Sequence, residues 1–146
     1  MDDPGSTSPL GGVEIVVTDR RWRAFVPDAL RRVSRALAAT GCAASVALTD
    51  DRTVKALNYR DRGKNKPTNV LTYEAPPEIL LAFGVVAKEA QREGKSIGTH
   101  LSHLIVHGAL HLQGYDHHHP GEAREMEAEE TRILARLGEP NPWKNR

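Results

Sequence analysis

The stretch HGALHLQGYDH, residues 107–117, carries the strongest structural and chemical signal in this sequence. The apolar pattern around it predicts a helix over about 99–112, in which His107 and His111 are four residues apart and lie on one face. Their Cβ atoms are then roughly 6 Å apart, so both imidazoles can bind one metal ion. The stretch therefore predicts a helix that carries part of a metal site.

Gly114 follows this helix and can adopt the left-handed conformation that ends helices. The chain can turn back there and deliver His117 as a third ligand, with His118 and His119 as competitors. Three neutral imidazoles leave a fourth tetrahedral position open, as in catalytic zinc sites. A surface histidine cluster without metal and a purely structural metal are the alternatives. Structural zinc usually takes cysteine ligands, and the chain has a single cysteine.

A zinc peptidase is another interpretation, because the same spacing matches the metzincin frame HExxHxxGxxH. In that frame the Glu after the first histidine acts as general base. Gly108 occupies this position here and cannot take a proton from water. The peptidase interpretation therefore lacks its base.

The length of 146 residues, with 39% hydrophobic and 27% charged residues, predicts one globular domain. No run of 18 apolar residues is present, so we expect no membrane span. The polar start lacks the features of a secretory signal, and the lone Cys42 fits a reducing compartment, so we expect a cytoplasmic protein. We predict a disordered tail over 1–12, a domain over 13–138 and a loose tail over 139–146.

Apolar periodicity predicts four strands and about five helices without strict alternation, which indicates a single α+β domain. The apolar spacing from Trp22 to Leu37 predicts an amphipathic helix that ends near Gly41. Pro27 falls early in this helix and marks its true first turn. A strand is predicted over 79–83, after the break at Pro76-Pro77, and a last helix over about 121–137.

Residues 122–130 carry a net charge of −4. We expect the glutamates of this run to form a solvated helix face rather than a second metal site: Glu125, Glu127, Glu129 and Glu130. His103, one turn before His107, is expected to pack or hydrogen-bond beside the metal rather than bind it.

The string HGxLHLxGYDH resembles the signature of the YbeY family of endoribonucleases, also described as rRNA maturation factors. A second block, residues 57–73, resembles the family segment LNxxYR…KPTDVLSF, and together with the acidic helix after His117 the resemblance covers roughly residues 45–138. The chain departs from the pattern at Pro76-Pro77-Glu78-Ile79, where the family has LGDI. Glu78 is the only obvious replacement for the family's Asp.

The resemblance implies that His107, His111 and His117 bind one Zn²⁺ per chain, and it matches Arg60 to an arginine that the family places near the metal cleft. It implies an α+β fold with a small mixed sheet against several helices. It also implies metal-dependent cleavage of single-stranded RNA in the maturation of rRNA, at the 3′ end of the small-subunit RNA, and in ribosome quality control. The implied partners are rRNA and the small ribosomal subunit.

Zinc lowers the pKa of a bound water to roughly 7 and can polarise a phosphoryl oxygen. Arg60 is the candidate to pair with phosphate oxygens in the transition state. Asp116 could orient an imidazole, assist the water or cap the turn. The run from 51 to 69 has a net charge of +4, and its basic residues are candidates to hold RNA phosphates: Lys55, Arg60, Arg62, Lys64 and Lys66.

Tyr59 and Tyr73 are expected in the core, with stacking on an RNA base as the alternative. A different class of function is a non-catalytic ribosome-assembly factor whose metal stabilises the C-terminal half of the chain. Cleavage of RNA by the purified protein separates this interpretation from the enzyme.

Overall fold

The structure, a computed structural model, describes residues 14–115 and 119–143. In chain order its elements are β1 (Ile15–Val17), α1 (Arg20–Phe25), α2 (Ala29–Thr40), β2 (Ser45–Thr49), α3 (Asp51–Arg62), β3 (Val70–Glu74), β4 (Pro77–Ala82), α4 (Phe83–Glu93), α5 (Ile97–Leu112) and α6 (Pro120–Arg136). The predicted α+β class with a small mixed sheet is confirmed. Within these residues there is one helix more than predicted.

The additional helix is α1, because the apolar stripe predicted as one helix with its first turn at Pro27 divides into two helices. Val26 has φ −132° and ψ 77°, which ends α1, and α2 begins only after Asp28. A residue before proline is disfavoured in helical conformation, so Pro27 separates the two helices. Trp22 and Val26 are nevertheless buried, and α2 ends at Gly41 as expected, with φ 68° at that glycine.

The four strands form one sheet in the order β1-β2-β4-β3. β1, β2 and β4 are parallel, and β3 pairs antiparallel with β4 at the edge. β4 begins at Pro77, two residues earlier than predicted, and this proline lies opposite Glu74. A proline fits at the first position of a strand, where the missing N–H removes little of the ladder.

Side chains of β4 alternate between two cores because successive residues of a strand point to opposite faces. Ile79 and Leu81 are buried in the larger core, which α2, α5 and α6 also supply. Leu80 and Ala82 belong to a smaller core on the opposite face, together with Val54 of α3. The sheet therefore separates α3 from α5.

Helix α5 lies in the larger core and is buried along most of its length. Ser96 caps its first turn by accepting a hydrogen bond from the Thr99 amide at 3.0 Å, as the sequence predicts. At Gly108 the helix lies so close to the sheet that an added Cβ would be 3.3 Å from Ile79 Cγ2 and Thr72 Cγ2. The described helices include none that is both long and apolar enough to cross a bilayer.

Candidate active site

His107 and His111 lie on adjacent turns of α5. Their rings are almost parallel, with centroids 6.5 Å apart and planes 5° apart. After α5 ends at Leu112, Gly114 has φ 100°, the positive φ that the sequence predicts for the turn. The two helical histidines are therefore brought together. The predicted third ligand His117 and the predicted catalytic Asp116 lie outside the described residues.

Glu130 of α6 connects two histidines of α5 through both of its carboxylate oxygens. His107 Nδ1 is 2.9 Å from Oε1, and His103 Nε2 is 2.8 Å from Oε2. Burial alone would raise the pKa of Glu130, but the hydrogen bonds from the two rings outweigh it and hold this pKa below its usual value. The predicted role of His103, hydrogen bonding beside the site, agrees with this contact.

The prediction of a solvated face was wrong for Glu130, because only 1% of this residue is exposed. A signal for its burial exists in the sequence. Glu130 lies four residues after Met126, three before Ile133 and four before Leu134, all of which are buried. An acidic residue on the apolar stripe of a helix needs a buried partner, and α5 supplies two imidazoles.

A second carboxylate–histidine pair involves His100, which lies two turns before His107 on α5. Glu89 Oε1 of α4 lies 2.8 Å from His100 Nε2 and also accepts a hydrogen bond from Asn69 Nδ2 at 2.9 Å. Burial lowers the pKa of His100, and the hydrogen bond to Glu89 only partly opposes this effect. The pair joins the start of β3 to α4 and α5.

The chemistry of the donor set fits a metal ion that prefers imidazole ligands. A carboxylate that accepts from Nδ1 of a neutral histidine leaves the lone pair on Nε2, and metal-binding histidines commonly have such a carboxylate partner. The described residues on their own offer no group of three His, Cys, Asp or Glu side chains able to hold a metal. A three-histidine site thus needs a ligand from residues 116–118, where His117 is predicted.

A cavity of about 800 Å³ lies beside His107. Its wall includes the charged residues Arg92, Glu93 and Lys95, the histidines His100 and His103, and the C-terminal segment 139–143. In that segment the Trp143 ring stands edge-on to His103, with centroids 5.4 Å apart, and Glu139 forms an ion pair with Arg32 of α2. Residues 139–143 of the predicted loose tail therefore pack against α2 and α5.

Arg60 lies at the end of α3, outside the lining of this cavity. Its guanidinium donates to both oxygens of Asp61, at 2.7 Å from Nε and 2.8 Å from Nη2. The Tyr73 hydroxyl also donates to Asp61, at 2.6 Å. Hydrogen bonds from Arg60 and Tyr73 lower the pKa of Asp61 to about 2, so this carboxylate is ionised at neutral pH.

The basic segment after α3 is held in place by Asn58, a buried residue whose Nδ2 donates to the Lys66 carbonyl at 2.9 Å. Arg62 donates to the Thr72 carbonyl at 2.6 Å, and its guanidinium carbon lies 5.3 Å from the centre of the Tyr73 ring. All five predicted RNA-binding residues are exposed: Lys55, Arg60, Arg62, Lys64 and Lys66. Tyr59 is 60% exposed, so its predicted place in the core was wrong.

The fold and the site together define a small α+β domain with a histidine-centred site. Its buried helix α5 carries histidines that hydrogen-bond to carboxylates, and this helix lies beside a cavity. Residues 13–138 match the family described as Endoribonuclease YbeY. The chain belongs to this family, which is a family of RNA-cleaving hydrolases, and the resemblance inferred from the histidine string is thereby confirmed.

Curated relatives agree with this assignment. An endoribonuclease YbeY of Gluconobacter oxydans is 51% identical, over 91% of this chain and 88% of its own length. One of Rhodopseudomonas palustris is 42% identical, over 96% of this chain and 85% of its own. A solution structure of a Thermotoga maritima protein is similar in fold, with a TM-score of 0.53 at 20% identity, over 90% of this chain and 98% of that one.

Proposed function

We propose that this chain is a zinc-dependent endoribonuclease that cleaves single-stranded RNA in the maturation of small-subunit rRNA and in ribosome quality control. The observation that supports it most directly is the parallel pair His107 and His111 on α5, with His107 held by the buried Glu130. Family membership supports the reaction class, since the relatives are endoribonucleases by name.

The candidate ligands of one zinc ion are His107, His111 and His117. When bound, zinc supplies an activated water near neutral pH and polarises a phosphoryl oxygen. Helix α5 contributes the orientation of two ligands, because its contact with the sheet at Gly108 fixes the segment of helix that carries both rings on adjacent turns. Glu130 holds the ring of His107 through a hydrogen bond at Nδ1.

Arg60 is the proposed partner of phosphate oxygens, through the bidentate geometry of its guanidinium. In the described structure this guanidinium is engaged with Asp61. An RNA phosphate therefore has to compete with an ionised carboxylate for Arg60, and this competition weakens RNA binding. Asp116 is the residue proposed to assist the water or to orient a ligand ring.

The exposed surface at the end of α3 fits a single strand better than a duplex. Tyr59 and Arg60 are neighbours on this surface, and Lys64 and Lys66 follow in the adjoining loop. An exposed aromatic ring among basic side chains binds unpaired bases by stacking and phosphates by charge, largely independently of base sequence. A paired base offers no free face to Tyr59.

Cleavage of labelled RNA by zinc-loaded protein tests the proposal. Single strands should be cut, the matching duplex should be spared, and His111→Ala should abolish both cutting and zinc binding. His100→Gln, on the same helix but outside the candidate ligand set, should cut normally. Undiminished cutting by a zinc-free His107→Ala/His111→Ala protein would reject the zinc-dependent reaction.

The place of the reaction is tested with immature small subunits. Wild-type protein should shorten the 3′ end of their rRNA, whereas His111→Ala should not. If the cutting-deficient variant still restores ribosome maturation in cells that lack the protein, the chain acts instead as a metal-stabilised assembly factor in the cytoplasm.

A further inference from the structure

We infer that Glu130 is a positioning residue: its buried carboxylate holds His107 through Nδ1 and makes Nε2 the metal-binding nitrogen. This inference rests on the proposed metal centre. It assigns a role to a residue of α6, an element that supplies no candidate ligand among the described residues. Both oxygens of the carboxylate are in use, at 2.9 Å from His107 and 2.8 Å from His103.

The carboxylate determines which ring nitrogens carry hydrogen. An ionised carboxylate only accepts hydrogen bonds, so both rings must present an N–H to it. In a neutral His107 this arrangement leaves the lone pair on Nε2, the nitrogen that would bind an ion. The other nitrogen of His103, Nδ1, is buried without a hydrogen-bond partner among the described residues.

The charge of the cluster also favours a cation. Glu130 is 1% exposed, and among the described residues its polar contacts are two imidazoles, with no lysine or arginine. The carboxylate is therefore a buried group without a lysine or arginine partner among the described residues, and buried charges are normally paired or bound to metal. A divalent cation held by His107 would compensate this charge through the ring.

Packing fixes the carboxylate in this position. Glu130 lies on the buried side of α6 together with Met126, Ile133 and Leu134, so its backbone cannot move away from α5 without disturbing the core. Glutamine has the same shape but presents an N–H₂ group to one of the two rings. Either His107 or His103 must then turn or change its tautomer.

Zinc affinity, measured by competition with a chromophoric chelator, tests the inference. Glu130→Gln should weaken zinc binding by about 10- to 100-fold, the usual effect of removing a partner of a metal-binding histidine. Glu89→Gln is the matched control, because Glu89 is also a carboxylate on a histidine of α5 but binds His100. Its zinc affinity should equal that of the wild type. Wild-type affinity in Glu130→Gln would overturn the positioning role.

A wild-type protein that binds zinc no better than His107→Ala would instead overturn the proposed metal centre. The ring nitrogen shifts of His107 in the zinc-free wild type give a readout that does not need a folded variant. We expect the tautomer with hydrogen on Nδ1. Hydrogen on Nε2 would overturn the positioning role even if Glu130→Gln fails to fold.

Discussion

His107 and His111 present parallel rings from successive turns of one helix, with their planes 5° apart. This arrangement needs no loop, because the helical repeat alone places both rings on one face. Only the third ligand of the proposed centre has to come from residues beyond the turn at Gly114. The helical pair is therefore the part of the site that the fold preorganises.

Removal of one ring of this pair should remove the metal. We expect protein purified without an affinity tag to contain about one zinc per chain, consistent with a single three-ligand site. His111→Ala and His117→Ala should lose it. His100→Gln should keep it. Elemental analysis per chain makes the comparison, and full zinc content in His117→Ala would remove that residue from the ligand set.

Neutralising Asp61 should strengthen RNA binding, because it frees Arg60 and removes a charge that repels phosphate. We expect Asp61→Asn to raise affinity for a single strand by about threefold and to steepen the salt dependence by about one phosphate contact. Fluorescence anisotropy over a series of salt concentrations measures both effects. Asp28→Asn, which neutralises a carboxylate paired with Arg32 on α2, is the control and should leave RNA affinity unchanged.

Tyr59 should contribute to binding by stacking. Tyr59→Ala is expected to weaken binding of single-stranded RNA by about tenfold, within the range measured for loss of one base–aromatic stack. Phe25→Ala is the matched control, since Phe25 is similarly exposed, at 64%, but lies on α1. Equal losses in the two variants would mean that Tyr59 does not contact RNA.

Gly108→Glu restores the residue that the metzincin frame requires, yet it should not create a peptidase. The new side chain would enter the contact of α5 with Ile79 and Thr72, so we expect a loss of about 3 kcal/mol or more in the free energy of unfolding, from overpacking and a buried charge. Urea titration measures it. Gly121→Glu is the control, because an added Cβ there would meet no described residue within 4 Å and an acid suits the first turn of α6. Cleavage of casein by Gly108→Glu would contradict the expectation.

His100 should make the fold sensitive to mild acid. Burial lowers its pKa below the ordinary 6.5, although Glu89 and Glu93 oppose the shift. As pH falls below 6.5, the unfolded chain takes up this proton more readily than the folded chain, so stability decreases. We expect wild-type protein to lose more thermal stability between pH 7.5 and 5.5 than His100→Gln. Parallel losses would show that His100 does not contribute to the pH dependence.

The elements that local sequence signals specify were predictable. Helix α5 was predicted from its apolar period and from Ser96, and the two histidines follow from their spacing alone. The end of α2 at Gly41 was also predictable from a local signal, because a backbone position with positive φ strongly favours glycine. These signals act within a few residues of each other along the chain.

Relationships between distant segments were not predictable in the same way. The contact of Glu130 with His107 joins residues 23 apart in sequence and depends on how α6 packs against α5. This contact was not predicted because Glu130 lies in a run of glutamates, and the net charge of a run does not show which of its residues faces the core. The first turn of α2 near Pro27 was predicted, but the separate helix α1 before it was not, because the apolar spacing continues across this proline.

The absence of a side chain at Gly108 has a consequence for heat inactivation. His107 and His111 lie on adjacent turns of a helix that packs at Gly108 against β4 and the edge strand β3, and packed core elements belong to the part of a protein that opens last. Warming should therefore abolish catalysis and global structure in a single transition, without an earlier stage in which only the reactive centre has melted.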